Sequence, residues 1–321
     1  MKNILYTAFV FFFISETIFT GQNLQSNEYK KVSPAVYTDS IPSDPFKSSN
    51  LTQLEIPGTK AGEMIIIHKA YTLSYNEKYK QANWVAYELT SEETRPVAKR
   101  SGKFYPDPQV KTNAVNDRDY SKSGYDRGHL APAADMGWSA ATMIESFYYT
   151  NMSPQNPSFN KGIWKRLEEL VRTWAIEKKS VYIATGPVLE ANLSAIGPHK
   201  VAVPRYFYKV ILNDHEPHQE GIGFIIPNIR STEPLQHFVV SIDSVEKFTG
   251  IDFFPRLPEE KENRIESNLS ITSWSWKISQ SNQKKKTSSV SVQCSAKTKA
   301  GLLCKRMTKS LNGKCMQHGG N

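Results

Sequence analysis

The sequence predicts a mixed α+β domain. Segments rich in β-branched and aromatic residues stand on both sides of one long amphipathic segment, which predicts strands before and after a central helix. No internal repeat is visible in the sequence, and 321 residues are enough to bury a substantial core. The hydrophobic content of 39% is ordinary for a globular protein.

Six segments carry the strand pattern, and each is bounded by turn-forming residues. In chain order they are Glu63–Asn76, Asn83–Leu89, Ser180–Val188, Tyr206–Leu212, Gly221–Pro227 and Phe238–Asp243. The central helix is predicted over Asn160–Lys179, where apolar residues recur at helical spacing and charged residues occupy the other faces. Shorter helices are predicted over Ala140–Tyr149 and Ser244–Thr249.

The N-terminal 21 residues have the order of a secretory signal peptide. Lys2 is followed by the apolar run Ile4–Ile14 and then by small and polar residues. The run is short for a membrane span, so an uncleaved anchor is the alternative. We therefore expect a secreted or periplasmic protein with no stable membrane association after cleavage. Residues 22–54 are polar and predict an N-terminal linker.

The positive charge is concentrated near the C-terminus. Residues 278–321 contain nine Lys or Arg and no Asp or Glu, whereas the first 277 residues contain 31 of each sign. A basic segment attracts polyanions such as nucleic acid, although a tail that only promotes solubility is a common alternative. Residues 278–293 are polar and predict a basic linker, and residues 294–321 form a separate cysteine-containing module.

The tetrapeptide DRGH, Asp126–His129, contains the residue types that phosphate chemistry requires. His129 is a candidate base, because an imidazole is neutral and competent near neutral pH. Arg127 is suited to contact phosphate through its planar guanidinium, and Gly128 allows backbone or ligand to approach closely. A histidine in such a motif is also frequently a hydrogen-bonded structural residue.

The segment that follows adds Asn151, Asn160 and Glu168. Asn160 stands where the central helix is predicted to begin, so it is either an N-cap or a ligand of a hard cation such as Mg²⁺. Glu168 lies about two turns further, roughly 12 Å along the helix axis. It could hold water on the metal, or be a solvated residue on the helix surface.

These segments, SGYDRGHLAPAADM and TNMSPQNPSFNKGIWKRLE, resemble the DNA/RNA non-specific endonuclease family. The resemblance extends over roughly residues 56–257 and includes YIATGPV, GFIIPN and TGIDFFPRL. It implies the ββα-metal (His-Me finger) nuclease fold, with a central antiparallel sheet flanked by helices. We place this domain at residues 55–277.

The resemblance implies a role for each motif residue. His129 is the general base, Asn160 is the protein ligand of one Mg²⁺ (Mn²⁺ is an alternative), and Glu168 orients water on the metal. The implied activity is cleavage of both DNA and RNA by an endonuclease that leaves 5′-phosphate ends. Such tolerance of the sugar is expected when contacts go mainly to the phosphate backbone.

Four further residues are implied to support this site. Asn151 positions it, and Arg127 and Asp126 support the phosphate and the histidine segment. Arg100, which precedes an aromatic residue and an aspartate, corresponds to the family's transition-state arginine, with two neighbouring lysines as alternatives. A homodimer is left open by the resemblance.

The three cysteines of the chain all lie in the C-terminal module, as Cys294, Cys304 and Cys315, followed by His318. Three thiolates and one imidazole complete a tetrahedral zinc site, and the module resembles short CCCH-type modules. A disulfide with one thiol left over is the alternative in an oxidising compartment. If zinc binds, the surrounding lysines would suit nucleic acid.

Two other functions are compatible with the motifs. One is a nucleic-acid-binding protein with an inactive nuclease fold, and the other is an enzyme that acts on a different phosphodiester. Substitution of His129 separates the first from a nuclease, and a comparison of plasmid with a small phosphodiester separates the second.

Overall fold

The computed structural model describes residues 53–111, 114–269, 271–278, 291–310 and 312–319. The predicted signal segment 1–21 and most of the predicted linkers 22–54 and 278–293 lie outside the described residues, so those predictions remain untested. Within the described ranges, no helix combines the length and the apolar character that a membrane crossing requires.

Strands and helices are interspersed along the chain. The strands are β1 (Met64–Ile67), β2 (Thr72–Asn76), β3 (Gln81–Thr90), β4 (Asp126–His129), β5 (Met152–Gln155), β6 (Ser180–Pro187), β7 (Ala195–Ile196), β8 (Val201–Ala202), β9 (Tyr206–Asn213), β10 (Glu220–Pro227), β11 (Val239–Val240), β12 (Val292–Gln293) and β13 (Met307–Thr308). The α-helices are α1 (Asp117–Tyr120), α2 (Ala140–Glu145), α3 (Pro157–Phe159), α4 (Lys165–Lys178), α5 (Ile242–Thr249) and α6 (Glu259–Ser267).

Seven strands form one sheet in the order β1-β2-β3-β6-β9-β10-β11, and every neighbouring pair is antiparallel. This confirms the predicted α+β class with a central antiparallel sheet. The first predicted strand is instead the hairpin β1–β2, closed by a hydrogen bond from the His68 N–H to the Tyr71 carbonyl oxygen. The last predicted strand, Phe238–Asp243, is also wrong in part, because α5 begins at Ile242.

The central strands of the sheet are buried on both faces. In β3, Val85 and Tyr87 pack into the cluster that contains the apolar face of α4, whereas Trp84 and Ala86 pack into the cluster that contains α5 and α6 residues. Successive side chains of a strand point to opposite faces, so one strand contributes to two cores. Each large apolar side chain buried in this way stabilises the fold by roughly 1.5–3 kcal/mol.

A separate hairpin, β4–β5, carries the DRGH motif. Asp126 pairs with Gln155 and His129 pairs with Met152, so the motif is a strand outside the main sheet. A Cβ atom on Gly128 would lie 2.1 Å from the Gln155 side chain. Glycine is therefore required here because a side chain crosses the backbone closely.

The helical segment after β5 begins earlier than predicted and is interrupted. Asn156 caps α3 through its side chain, with Pro157 at the first helical position. A π-helical turn then covers Asn160–Trp164 and contains Gly162 at φ −103° and ψ −109°, before α4 begins. The single helix predicted over Asn160–Lys179 is thus wrong at its start, and Asn160 does not cap it. The hairpin and the helices together form a ββα unit.

Candidate active site

His129 lies at the end of β4 and is almost fully buried, with 8% of its surface exposed. Its ring packs edge-on against Phe147 at a centroid distance of 4.8 Å, and Phe104 lies 6.0 Å away. Within the described residues, the Nε2 atom has no hydrogen-bond partner. Burial, reinforced by the positive charge of Arg100, lowers the pKa of His129 to about 3. The imidazole is therefore neutral at neutral pH, as a base must be.

Arg100 reaches the same aromatic ring from the solvent side. Its guanidinium lies 5.2 Å from the centroid of the Phe147 ring, on which His129 also packs. The side chain is exposed, and its charge lowers the pKa of His129 and opposes the rise in the pKa of Glu168. The structure thus brings the predicted arginine close to both residues.

Asn160 lies in the π-helical turn, and Asp126 fixes the orientation of its amide. The Asn160 Nδ2 atom donates a hydrogen bond of 3.0 Å to Asp126 Oδ2, which also pairs with Lys161 Nζ at 2.7 Å. Among the described residues, none donates to Asn160 Oδ1. An amide oxygen held in place and free of protein donors is a suitable ligand for a hard cation. Single π-turns within helices are frequent at functional sites.

Glu168 lies in the first turn of α4 and is half-buried. Burial raises its pKa above the ordinary carboxyl value, and the positive charges of Arg172 and Lys209 oppose that rise. Glu168 follows the end of the π-helical turn Asn160–Trp164 by four residues, about one turn of α4. The carboxyl group is therefore desolvated but held within a basic environment.

The basic environment of Glu168 is formed by residues that its sequence motif does not contain. Lys209 on β9 is only 1% exposed, and its Nζ atom lies 5.0 Å from the Trp164 ring centroid with no hydrogen-bond partner in the described residues. Burial lowers the pKa of Lys209. Arg172 pairs with Asp135 at 2.7 Å. A lysine inside the apolar segment YFYKVIL was the only sequence signal for this cluster.

Asn151 is completely buried and its side chain makes three hydrogen bonds, all to backbone. Its Oδ1 accepts from the Ala131 N–H at 2.9 Å, and its Nδ2 donates to the carbonyl oxygens of Ala131 and Ser146 at 2.9 and 2.8 Å. These bonds fix the segment that directly follows His129. The geometry supports a positioning role and leaves the side chain no free polar group.

Arg127 is held by internal partners. Its Nη2 atom donates to Asp117 Oδ1 at 2.7 Å and its Nε atom donates to the Tyr149 hydroxyl oxygen at 3.2 Å. The guanidinium also lies over the rings of Phe104 and Tyr120, at 5.2 and 5.6 Å from their centroids. Arg127 therefore braces the hairpin against neighbouring aromatic residues.

The C-terminal module contains a second cluster with metal-ligand character. Ligand atoms of Cys294, Cys304, Cys315 and His318 all lie within 4.8 Å of one another. The Cys304 and Cys315 sulfurs are 4.0 Å apart, and His318 Nδ1 lies 3.5 and 3.2 Å from the sulfurs of Cys294 and Cys315. All three cysteines are buried free thiols, so the disulfide alternative is not what this structure contains.

The sequence profile of the DNA/RNA non-specific endonuclease family matches residues 47–260. The chain belongs to this family. The match includes the ββα unit with His129, Asn160 and Glu168, and it ends before Cys294.

Similar proteins are nucleases from animals and fungi. The chain is 36% identical to nuclease EXOG, mitochondrial, of Danio rerio over 60% of this chain and 61% of that protein. It is 35% identical to endonuclease G, mitochondrial, of Bos taurus over 59% of this chain and 68% of that protein. It is also 35% identical to nuclease C1 of Cunninghamella echinulata var. echinulata, over 65% and 89% of the two chains.

The fold has a solved counterpart in the crystal structure of the EndoG/EndoGI complex. The superposition has a TM-score of 0.61 at 31% identity and covers 67% of this chain and 96% of the other. The neighbour confirms the predicted ββα-metal nuclease fold with its antiparallel sheet and flanking helices.

The prediction of a secreted or periplasmic protein is contradicted by the relatives. Those from Danio rerio, Bos taurus, Homo sapiens and Saccharomyces cerevisiae are named mitochondrial nucleases, which points away from secretion. The prediction rested on residues 1–21 alone. A basic residue followed by a short apolar run is too general a pattern to define a destination by itself.

Proposed function

We propose that this chain is a metal-dependent endonuclease that hydrolyses phosphodiester bonds in both DNA and RNA. The observation that carries this proposal is the ββα unit. It holds a neutral, buried His129 on one strand of a hairpin whose other strand leads through α3 into the π-helical turn with Asn160. Membership of a family of sugar-non-specific endonucleases supports the same activity.

In the proposed reaction, His129 accepts a proton from the attacking water. The water oxygen forms a new bond to phosphorus, and the bond between phosphorus and the 3′-oxygen breaks. The departing 3′-oxygen takes a proton from solvent, so the products carry 5′-phosphate and 3′-hydroxyl ends. Because burial keeps His129 neutral, the base is available without prior deprotonation.

Asn160 is the residue proposed to hold the cation, with Mg²⁺ preferred and Mn²⁺ as the alternative. Its amide oxygen has no competing donor among the described residues, and Asp126 keeps that oxygen from exchanging places with the nitrogen. Mg²⁺ binds few protein oxygens and retains waters, which suits a single amide ligand. When bound, the cation supplies positive charge to the scissile phosphate and the departing oxygen.

The remaining predicted residues divide between the reacting groups and their supports. Arg100 is exposed beside His129 and would contact the phosphate as negative charge develops. Glu168, whose charge Arg172 and Lys209 stabilise, would hold water in the site. We assign a positioning role to Asn151, since all of its hydrogen bonds go to backbone.

We also propose that the C-terminal cluster binds a structural Zn²⁺. In a tetrahedral site with Zn–S near 2.3 Å and Zn–N near 2.0 Å, sulfurs stand about 3.8 Å apart, and sulfur and nitrogen about 3.5 Å apart. The separations of 4.0 Å between Cys304 and Cys315 and of 3.5 and 3.2 Å from His318 are close to these values. Mass spectrometry under native conditions tests for one zinc per chain.

The boundaries at residues 55–277 for the nuclease domain and 294–321 for the module belong to the same proposal. Limited proteolysis with zinc present should cut between these ranges before it cuts within them. Sedimentation would show whether the chain is a monomer or the homodimer left open by the resemblance.

The function is tested by incubating the full chain with supercoiled plasmid, total RNA and a small phosphodiester, each with Mg²⁺ or with no added metal. The proposal expects internal cuts in both polymers, dependence on the metal and 5′-phosphate ends. Cleavage of the small diester with both polymers left intact would assign the enzyme a different substrate. Binding of the polymers without cleavage under any divalent metal would favour an inactive nuclease fold.

A further inference from the structure

Among its described residues, the C-terminal module has no apolar core apart from its proposed metal ligands. Its buried cluster consists of Cys294, Cys304 and Cys315, with only Ala296 packed against it. The large apolar side chains are outside: Leu302 and Met307, for example, are 71% and 59% exposed. Among the described residues of the module, strand pairing is limited to β12–β13, two residues on each side, and to one isolated bridge between Lys297 and Leu303. A segment this small usually needs a metal, disulfides or oligomerisation to fold, and its thiols are free.

The charged side chains of the module are all basic. Between residues 291 and 319 the sequence has six Lys or Arg, no Asp or Glu, and no aromatic residue. Every one of the six basic side chains is exposed: Lys297, Lys299, Lys305, Arg306, Lys309 and Lys314. Three thiolates and one Zn²⁺ together carry a single negative charge, so the module retains a large positive excess around a rigid centre.

This distribution of charge and side chains indicates one class of partner. Exposed lysines and arginines without neighbouring acids attract a polyanion, and the phosphate backbone of nucleic acid has the matching charge density. The module has no Phe, Tyr or Trp, so its contacts to nucleic acid would come mainly from lysine and arginine to phosphate, and contacts to phosphate carry no sequence information. The first 277 residues carry equal numbers of acidic and basic residues, so the net positive charge of the chain lies in residues 278–321, and six of the nine basic residues there belong to the module.

We propose that the zinc-folded C-terminal module is a sequence-independent nucleic-acid-binding module that raises the affinity of the enzyme for its polymer substrates. Only the effect of the module on cleavage rests on the proposed nuclease function. Binding of nucleic acid by the module requires no active site. Folding around the metal fixes the spacing of the cations, so loss of the metal should weaken binding even though every charge remains.

The test measures binding separately from cleavage. Full-length chain with His129→Ala is titrated with a fluorescent DNA duplex in Mg²⁺-free buffer at several salt concentrations. The same measurement is made with Lys305→Gln/Arg306→Gln/Lys309→Gln, with Cys304→Ser, and with the matched control Lys60→Gln/Lys247→Gln/Arg264→Gln, which removes three exposed charges outside the module. Zinc content is determined for every variant.

The first expected result concerns the salt dependence. Each lost phosphate contact reduces the slope of log affinity against log salt by about 0.9. The variant Lys305→Gln/Arg306→Gln/Lys309→Gln (the tail triple variant) should keep its zinc, and its slope of log affinity against log salt should fall by about 2 to 3 units. The variant Lys60→Gln/Lys247→Gln/Arg264→Gln (the control triple variant) should match the parent chain, which carries His129→Ala alone. Cys304→Ser should lose zinc and bind DNA more weakly. In chains with an intact His129, the tail triple variant should raise KM for plasmid and leave kcat and small-diester cleavage unchanged.

Three outcomes would overturn the proposal. Equal slopes and affinities for the parent and the tail triple variant would show that these cations do not contact nucleic acid. Undiminished DNA binding by zinc-free Cys304→Ser would show that folding around the metal is not required. Binding of the tail to phosphatidylserine vesicles with none to DNA would assign the surface to membranes. None of these outcomes depends on whether the chain cleaves DNA.

Discussion

Replacement of Asp126 by alanine should weaken the metal site without removing its ligand. Asp126 Oδ2 accepts hydrogen bonds from Asn160 Nδ2 at 3.0 Å and from Lys161 Nζ at 2.7 Å. In Asp126→Ala the amide is free to rotate, and the lysine loses its counterion beside the cation site. Loss of a partner that orients a metal ligand typically costs 10–100-fold in metal affinity. We therefore expect the half-saturating Mg²⁺ concentration to rise by about that factor, roughly 1.4–2.8 kcal/mol.

The assay is the initial rate of plasmid cleavage as a function of Mg²⁺ concentration. Two matched variants separate the causes. Lys161→Met removes only an exposed ion pair, worth roughly 0–1 kcal/mol, and should leave the Mg²⁺ dependence nearly unchanged. The double variant Asp126→Ala/Lys161→Met also removes the lysine charge that Asp126→Ala leaves unpaired. Any rise in the half-saturating Mg²⁺ concentration that persists in it therefore measures the lost orientation of Asn160. The reasoning is refuted if Asp126→Ala keeps the wild-type Mg²⁺ dependence and loses only its rate at saturating metal.

Three further predictions follow from buried polar groups. Asn151→Ala should lower the free energy of unfolding by roughly 3–5 kcal/mol in urea, because three buried backbone groups lose their partner; a loss below about 1 kcal/mol would contradict this. Glu266→Gln should raise the melting temperature at pH 8 and have no such effect at pH 4. Burial raises the pKa of Glu266 from 4.5 to about 9, so between those values the folded chain holds a proton that the unfolded chain releases, and stability falls as pH rises through that window. An equal increase in melting temperature at pH 8 and pH 4 would show that the raised pKa of Glu266 is not the cause. Finally, the His129 ring signals in NMR spectra of the metal-free chain should stay constant from pH 8 to pH 5, since burial lowers the pKa to about 3; a midpoint near 6.5 would show an ordinary, hydrated imidazole.

Local sequence patterns predicted the sheet well where the strands are buried. The segments around β3, β6, β9 and β10 are rich in β-branched and aromatic residues, and the structure pairs all four side by side. The hairpin β1–β2 was predicted as one strand, because its turn, His68–Tyr71, contains neither glycine nor proline. The π-turn at Asn160 was missed because it depends on an irregular backbone at Gly162, which hydrophobic periodicity does not report.

The candidate site could be predicted only as far as its motifs extend. His129, Asn160 and Glu168 were found because they lie in recognisable segments. Lys209 was missed because the carboxyl group that it stabilises, on Glu168, is remote in sequence and meets it only through the packing of α4 on the face of the central sheet. Arg127 was predicted to contact phosphate, but the motif gave no indication of its contacts within the chain. Those contacts come from three other segments, which contain Asp117, Tyr149 and Phe104.

The central claim is that His129 is the base of a phosphodiester hydrolysis. The most direct test is single-turnover cleavage of plasmid and of RNA by the wild-type chain and by His129→Ala, at saturating Mg²⁺, with DNA affinity and zinc content measured in parallel. The account predicts that the variant binds DNA like the wild type, retains its zinc and cleaves both polymers at least ~10²-fold more slowly. Cleavage by His129→Ala within a few-fold of the wild-type rate would contradict it.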